Sequence, residues 1–248
     1  MIGILYFSST GNSLYISKKI QETLGGEILY IPNYSGDGSE FEKLIIVTPI
    51  YSFGMPSHVF DLLPRLDRQK ELIIVQNYGG MIGGADYYVY HYALHSGLNV
   101  KSVYTIKMPE NFTLTFTMPK FYLKHVLKGA DKRIDKIITR ITNGEGAIPR
   151  KKRTKEATYL KNKNNWYLIG KRFSVTNDCI KCGKCIGVCP VQNISLQGGN
   201  IVFADRCVAC LGCYHRCPKK AIVYLKKKKK DRYLNPYIDE NIIGTDIK

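Results

Sequence analysis

The chain has 248 residues, 44% of them hydrophobic, and a formal net charge of +17. This length supports one sizeable domain and a second, smaller one. The first apolar run, Ile2–Phe7, is far too short to span a membrane and no later run approaches the length required. We therefore expect a cytoplasmic protein without a membrane span.

The positive charge is concentrated in two stretches. Residues 1–119 hold 8 Lys and Arg against 10 Asp and Glu, whereas residues 120–172 hold 16 against 4 and residues 219–232 hold 8 against 1. Such runs favour a solvated surface that speeds association with an acidic protein. Because Tyr159 and Trp166 are interleaved with these charges, binding to nucleic acid or to an anionic membrane surface is the alternative.

The chain begins with a strand, a hydroxyl-rich loop and a helix. The run Ile2–Phe7 predicts a buried parallel strand, and apolar residues from Leu14 to Leu24 predict a helix that ends at Gly25. Amides, hydroxyls and the helix dipole converge at such a loop and favour an anion. The loop matches neither the P-loop nor the Rossmann glycine pattern; an ordinary turn that caps a helix is the simpler alternative. It consists of Ser8, Ser9, Thr10, Gly11, Asn12 and Ser13.

Strands and helices alternate through the first half of the chain, which predicts a doubly wound parallel α/β sheet that binds ligands at the carboxyl ends of its strands. Further strands are predicted at Glu27–Ile31, Lys43–Thr48, Glu71–Gln76 and within Leu98–Ile106, and helices at about Pro56–Leu66, Ala85–His95 and Lys120–Thr142.

Two loops at those carboxyl ends have the composition of a binding site for a flat ring. Tyr51, Phe53 and Tyr78 are candidates to stack on the ring, with core packing as the alternative for each one. Gly54 is able to adopt unusual backbone angles, and we expect Met108–Phe112 on the same side as a lid or a seat for the second domain. The loop residues are Pro49, Ile50, Tyr51, Ser52, Phe53, Gly54 and Met55, and Asn77, Tyr78, Gly79 and Gly80.

The segment FSSTGNS at residues 7–13 closely resembles the phosphate loop of flavodoxins. The resemblance implies that Ser8–Ser13 hold the phosphate of FMN, and that the two later loops flank its isoalloxazine ring. It also implies a flavodoxin-like strand order of 2-1-3-4-5.

All eight cysteines lie in two C-x2-C-x2-C-x3-C-P runs between Cys179 and Pro218. This spacing is typical of 4Fe-4S clusters, in which the fourth cysteine of each run binds the other cluster. A zinc site has no use for the third cysteine, and a disulfide framework suits a secreted chain. We predict one cluster on Cys179, Cys182, Cys185 and Cys217, and a second on Cys207, Cys210, Cys213 and Cys189.

The stretch from about Phe173 to Tyr224 resembles the bacterial two-cluster ferredoxins, which implies a small α+β ferredoxin-like domain. Within it, 173–176 is expected to pair with 221–224, and 194–196 with 201–203 as a hairpin. The whole chain resembles flavodoxin–ferredoxin fusion proteins of anaerobes. We predict a flavodoxin-like domain at 1–144, a basic linker at 145–172, the ferredoxin-like domain at 173–225 and a charged tail at 226–248.

These features predict an electron-transfer iron–sulfur flavoprotein that passes single electrons between two 4Fe-4S clusters and FMN. It would link a low-potential donor to a one- or two-electron acceptor, in an oxygen-poor cytoplasm and with an acidic redox protein as partner. The alternative is an FMN-dependent reductase of a small organic acceptor such as a quinone or nitroaromatic. The pair His91 and His95 is expected to be packed or solvated rather than metal-binding, and His215 to lie on the surface.

Overall fold

A computed structural model describes residues 1–114, 118–150, 153–227 and 232–247. Most of the lysine run predicted to begin the tail, Lys226–Lys230, lies outside these ranges.

The first half of the chain forms one five-stranded parallel sheet. The order β2-β1-β3-β4-β5 confirms the predicted topology. Runs such as Leu44–Val47 and Leu72–Val75 are buried throughout, as expected for strands that are covered on both faces. The strands are β1 (Ile2–Tyr6), β2 (Glu27–Tyr30), β3 (Lys43–Pro49), β4 (Glu71–Tyr78) and β5 (Asn99–Lys107).

Helices cover both faces of this sheet. On one face α1 (Asn12–Leu24) packs with α4 (Lys120–Thr142), and Tyr15 donates a hydrogen bond to Asp131 between them. On the other face α2 (Ser57–Phe60) meets α3 (Ala85–His95) through aromatic contacts of Phe60. Among the helices of the described ranges, none is long and apolar enough to cross a bilayer.

The predicted linker folds into two short helices, α5 (Glu156–Lys163) and α6 (Tyr167–Lys171). Tyr159 is 1% exposed and Trp166 is 6% exposed, and the Tyr159 hydroxyl donates to the carbonyl of Met55 at 2.9 Å. These two rings therefore pack on the sheet domain and are closed to nucleic-acid bases. The domain boundaries themselves stay predictions.

The second domain is small and built from two antiparallel pairs, as expected. Its hydrophobic core includes Phe173, Leu211, Tyr214 and Ile222, and Leu114 from the sheet domain joins it. The elements are β6 (Phe173–Val175) paired with β9 (Ile222–Tyr224), the hairpin β7 (Ile194–Gln197) and β8 (Asn200–Phe203), and the single turns α7 (Lys184–Gly187) and α8 (Gly212–His215).

Residues 232–247, the C-terminal segment, pack on both domains. Tyr6 in β1 donates its hydroxyl to the carbonyl of Thr245 at 2.9 Å, and Ile247 bridges to Ile28 in β2. In the second domain, Arg216 donates to the carbonyl of Glu240 at 2.7 Å. The described part of the predicted tail thus joins the two domains.

Candidate cofactor sites

The eight cysteines surround two separate cavities. Cys179, Cys182, Cys185 and Cys217, the distal set, line one of them. Cys189, Cys207, Cys210 and Cys213, the proximal set, line the other. This is the grouping predicted from the spacing, in which each run contributes its fourth cysteine to the other set. All eight are free cysteines; their role as cluster ligands stays a prediction.

Backbone amides point at the sulfurs in the same way in both halves. The amide two residues after the first cysteine donates to its sulfur, from Lys181 to Cys179 and from Ala209 to Cys207, at 3.4 Å in each case. Both donor residues have positive φ, 54° and 55°. The conformation aims the amide back at the sulfur, and such bonds stabilise negative charge on it.

A second pair of amides repeats at the other end of each run. Asn193 donates to Cys189 at 3.2 Å and Ala221 donates to Cys217 at 3.3 Å. The two halves are therefore structural duplicates, and their donor chemistry fits thiolates that carry iron–sulfur clusters.

The cysteines of the proximal set are half-buried. Burial raises the pKa of Cys207, Cys210 and Cys213. Buried thiols need a charge partner in order to ionise, which a metal centre supplies directly. Each set of four thiols lines a cavity and does not converge on one point. In the described part of the chain, no three His, Cys, Asp or Glu side chains are arranged to hold a single metal ion.

A larger cavity of ≈ 560 Å³ opens at the carboxyl ends of the strands. The predicted ring loops form one side of it, the 110–112 loop a second side, and helices α5 and α6 a third. Ala209, from the loop of the proximal set, also reaches it. Its lining includes Ile50, Tyr51, Ser52, Phe53, Tyr78, Gly79, Gly80, Glu110, Asn111, Phe112, Asn162, Asn165, Trp166, Ile169, Arg172 and Ala209.

Seven of the predicted ring-loop residues, Ile50–Phe53 and Tyr78–Gly80, line this cavity, whereas Pro49, Gly54, Met55 and Asn77 do not. A tight turn joins Tyr51 to Gly54, whose backbones exchange hydrogen bonds of 2.8 and 3.1 Å. The positive φ values of this turn fall on Ser52 (48°) and Phe53 (76°), and Gly54 is not among the glycines with positive φ. Gly54 is needed for space, because a Cβ there would lie 2.5 Å from the Tyr159 ring.

The hydroxyl-rich loop Ser8–Ser13 lies behind the cavity and is connected to it. The Ser9 hydroxyl lies 3.3 Å from the Tyr51 hydroxyl, and Asn111 donates to the Thr10 hydroxyl at 2.9 Å. Both Tyr51 and Asn111 line the cavity. A ligand that spanned the cavity and the loop would therefore meet a continuous polar path.

The loop amides meet the requirements of a phosphate site. Gly11 donates to the Ser8 hydroxyl at 2.9 Å and has a φ of 95°. Within the described ranges, the amides of Ser9, Thr10, Asn12 and Ser13 bond to no protein acceptor. These buried donors stand at the N-terminus of α1, where the helix dipole favours an anion. The residues present thus fit the phosphate of FMN, and the assignment of that ligand stays a prediction.

The third side of the cavity was missed by sequence reasoning. Trp166, Arg172 and their neighbours lie in a polar segment with weak periodicity, which predicted a linker. One feature of the sequence points to this wall, namely Trp166, the only tryptophan of the chain. Because basic residues surround it in the sequence, it suggests a contact with nucleic acid just as well.

His215 is buried, so its expected surface position is wrong. It is 3% exposed, its Nδ1 accepts from the Tyr233 amide at 3.1 Å, and its Nε2 lies 2.7 Å from the Asn111 carbonyl. Since Nδ1 accepts, Nε2 carries the proton and donates. Burial lowers the pKa of His215 to about 4. By contrast, the exposed His95 bonds only to the carbonyl of His91, one helical turn earlier.

Comparison with known proteins identifies the second domain. Residues 178–222 match the family model of the 4Fe-4S dicluster domain. A stretch of 60 residues is 37% identical to the polyferredoxin protein MvhB of Methanothermus fervidus, and covers 21% of this chain and 15% of that protein. The match thus spans well under two thirds of the relative's length. It indicates iron–sulfur chemistry and electron transfer for this domain.

Solved flavodoxins align with the sheet domain. The Fusobacterium nucleatum flavodoxin bound to flavin mononucleotide is 23% identical over 57% of this chain and 96% of its own, with a TM-score of 0.42. The two-electron reduced flavodoxin of Megasphaera elsdenii is 19% identical over 42% of this chain and 85% of its own, with a TM-score of 0.37.

The sheet order described above is that of the flavodoxin fold, and the domain that follows matches the dicluster family. The chain therefore has the architecture of a flavodoxin–ferredoxin fusion.

Proposed function

We propose that the chain is an electron carrier that passes single electrons between two 4Fe-4S clusters and FMN. One observation carries the proposal: the loop of the proximal set touches both parts of the predicted FMN site. Ala209, between Cys207 and Cys210, lines the large cavity, and a Cβ on Gly212 would lie 3.6 Å from the Cβ of Ser9. A cluster held by the proximal set and a flavin in the cavity would be neighbours.

The order of the centres follows from exposure. Cys182 and Ile180 in the distal loop are exposed, whereas the loop of the proximal set reaches the large cavity through Ala209 and approaches Ser9 through Gly212. Electrons would therefore enter or leave through the distal set, and the proximal set would connect it to the flavin. The same order serves either direction of flow.

The chain's own residues would hold and shield the cofactors. The loop Ser8–Ser13 would bind the phosphate, while Tyr51, Tyr78 and Trp166 would orient the ring and exclude water. FMN exchanges electrons singly or in pairs, and so can join a one-electron donor to a two-electron acceptor.

The rim of the distal set is suited to an acidic partner. Lys181, Lys184 and Lys219 line the distal cavity. We expect electron transfer from an acidic redox protein to slow as ionic strength rises, because salt screens this attraction. Lys181→Glu would slow the second-order step, whereas Lys101→Glu, at an exposed position in β5 of the sheet domain, would change it little.

The direct test is anaerobic reconstitution of the full chain with iron, sulfide and FMN. We expect eight irons and one FMN per chain. Stopped-flow mixing with a low-potential donor would first bleach the cluster absorbance and then the flavin absorbance. Purified protein that holds zinc, or that never retains flavin, would contradict the proposal.

A second function, reduction of a small organic acceptor, is favoured by the polar side chains on the cavity wall that faces the ring loops. Asn162, Asn165 and Arg172, in and beside α5 and α6, could orient an acceptor over the flavin. Steady-state turnover with a quinone or nitroaromatic at saturable rates would favour this enzyme. Oxidation only by redox proteins would favour the carrier.

A further inference from the structure

Arg232 in the C-terminal segment lies far along the chain from most of the cysteines, yet it packs into the dicluster domain. Its Nη2 donates to the carbonyls of Ile222 at 2.8 Å and Lys220 at 3.2 Å. The centre of its guanidinium lies 3.2 Å from the centroid of the Tyr214 ring. The group is therefore fixed by a stacking contact and by two hydrogen bonds.

These contacts place the cation between the two sets of cysteines. Tyr214 directly follows Cys213 of the proximal set. The carbonyls of Lys220 and Ile222 flank Ala221, whose amide donates to the sulfur of Cys217 in the distal set. The guanidinium thus lies beside one ligand of each predicted cluster.

The guanidinium is half-buried and incompletely paired. The Nε and Nη1 atoms are buried and have no hydrogen-bond partner among the described residues. Burial lowers the pKa of Arg232, while Tyr214, Cys217 and Cys213 act in the opposite direction. Arginine nevertheless stays charged at any physiological pH, and a buried charge is screened by salt much less than an exposed one.

We propose that Arg232 is a positioning residue that raises the reduction potentials of both clusters. The inference rests on the proposed function, because it requires a cluster on each set of cysteines. Each cluster gains one negative charge when the external donor gives it an electron. A fixed cation beside Cys213 and Cys217 stabilises that reduced form more than the oxidised one.

The next residues of the segment hold Arg232 in place. The Tyr233 amide donates to His215 of the dicluster domain at 3.1 Å, and its hydroxyl donates to Asn12 of the phosphate loop at 2.6 Å. The Asn235 amide donates to the carbonyl of Thr10 at 2.8 Å. The segment that carries the cation is thus anchored to both domains, while the guanidinium itself contacts the dicluster domain.

The test is a redox titration, followed by electron paramagnetic resonance, of the reconstituted full chain and of its Arg232→Gln and Arg232→Lys variants. We expect both midpoint potentials to fall in Arg232→Gln and to stay close to wild type in Arg232→Lys.

The matched control is Arg140→Gln. Arg140 also stacks on a tyrosine ring, with its guanidinium 5.2 Å from the Tyr104 centroid, but it lies at the end of α4 in the sheet domain. Its loss should leave both potentials unchanged.

Each result decides the matter. Unchanged midpoint potentials in an Arg232→Gln protein that holds eight irons would overturn the inference. An equal fall of the potentials in Arg232→Lys and Arg232→Gln would also overturn it, because packing rather than charge would then be responsible. Arg232→Gln and Arg232→Met can both fail to retain iron. In that case, iron retained by Arg232→Lys supports a role for the positive charge, whereas iron lost from Arg232→Lys as well overturns the proposal. Wild-type protein without clusters would instead refute the proposed function, and this inference with it.

Discussion

At the residue scale, His58 is a buried side chain with no polar partner. Both of its ring nitrogens are shielded from solvent without a hydrogen bond to any described residue, and its ring packs edge-on against Phe7 with the centroids 4.3 Å apart. Burial lowers the pKa of His58 to about 4. The folded protein therefore holds this histidine neutral, whereas the unfolded chain protonates it near pH 6.5.

This difference predicts a loss of stability in mild acid. Between pH 6.5 and about 4 the unfolded state binds a proton that the folded state does not, so the free energy of unfolding falls as pH falls through that window. One pKa unit corresponds to about 1.4 kcal/mol, so the full loss is on the order of 3 kcal/mol. Above pH 6.5 the effect is absent.

We expect His58→Phe to flatten this pH dependence and to be more stable than wild type at pH 5 by about 1–2 kcal/mol, since an apolar ring needs no polar partner. Urea unfolding at pH 5 and pH 7.5, followed by circular dichroism, measures the effect. His125→Phe, at an exposed position in α4, is the control. An identical pH slope in His58→Phe and wild type would contradict the assignment.

The turn at Tyr51–Gly54 gives a second prediction at this scale. In Gly54→Ala the new Cβ meets the Tyr159 ring at 2.5 Å, so the turn or the ring must move. Overpacking of this kind costs about 1–3 kcal/mol, which corresponds to FMN binding that is weaker by about fivefold to 150-fold. Fluorescence titration of FMN measures the change.

Gly80→Ala is the matched control for that substitution. Unlike Gly54, Gly80 lines the cavity itself, but a Cβ there would lie 3.7 Å from the nearest atom, an oxygen of Glu110, and so would cause no clash. Equal FMN affinities in the two variants would argue against the turn as part of the ring site.

At the scale of elements, α5 and α6 form a wall of the cavity through Trp166. The Trp166 ring lies edge-on to Tyr51 and to Tyr159, with centroid separations of 6.2 and 5.8 Å. Because Trp166 is the only tryptophan, its fluorescence reports on this wall alone. We expect FMN to quench the emission with an end point at one FMN per chain.

The Trp166→Phe variant should lose this signal while it still binds FMN. Emission that stays constant as FMN binds would place the flavin elsewhere, and would count against α5 and α6 as part of the site.

Elements with strong local patterns were predictable, whereas those that depend on distant partners were not. The bounds of α3 and α4 agree with the sequence pattern. The helix predicted over Pro56–Leu66 breaks after Phe60 and resumes as a single 3-10 turn, Leu63–Arg65, which carries Pro64; proline disrupts a continuous helix. Helices α5 and α6 were missed because distant parts of the chain bury their aromatic rings. Tyr159 contacts Met55, Phe60 and Tyr88, and Trp166 contacts Tyr51.

The same division holds for the candidate sites. The residues of the two cysteine sets and of the ring loops are predictable from short sequence motifs, because residues close together in the chain form most of each set or loop. Ala209 and His215 acquire their surroundings from the sheet domain and Arg232 from the packing of the C-terminal segment, and nothing local in the sequence marks these three residues. A histidine between two cysteines is compatible with exposure until Tyr233 and Asn111 cover it.

At the scale of the whole molecule, Tyr6 attaches the C-terminal segment to the sheet through hydrogen bonds. Its hydroxyl accepts from the Gly244 amide at 2.9 Å and the Thr245 amide at 3.2 Å, in addition to donating to Thr245. Burial raises the pKa of Tyr6 to about 12, so the hydroxyl stays protonated and can donate.

We expect Tyr6→Phe to weaken the docking of the segment by about 1–3 kcal/mol, since it leaves buried backbone groups unpaired. Hydrogen exchange of residues 244–247 should accelerate roughly ten- to a hundredfold. Tyr34→Phe, which removes an exposed hydrogen bond to Glu40, should leave this exchange unchanged. Equal protection in Tyr6→Phe and wild type would show that other contacts dock the segment.

The contact of Asn235 with Thr10 also constrains how the protein is assembled on the ribosome. Translation produces the loop Ser8–Ser13 early and residues 232–247 only after both domains, so the loop stays uncovered for most of synthesis. If the loop holds the phosphate of FMN as proposed, the nucleotide would have access to it during that interval. Afterwards Asn235, whose amide bonds to the Thr10 carbonyl, would cover the loop.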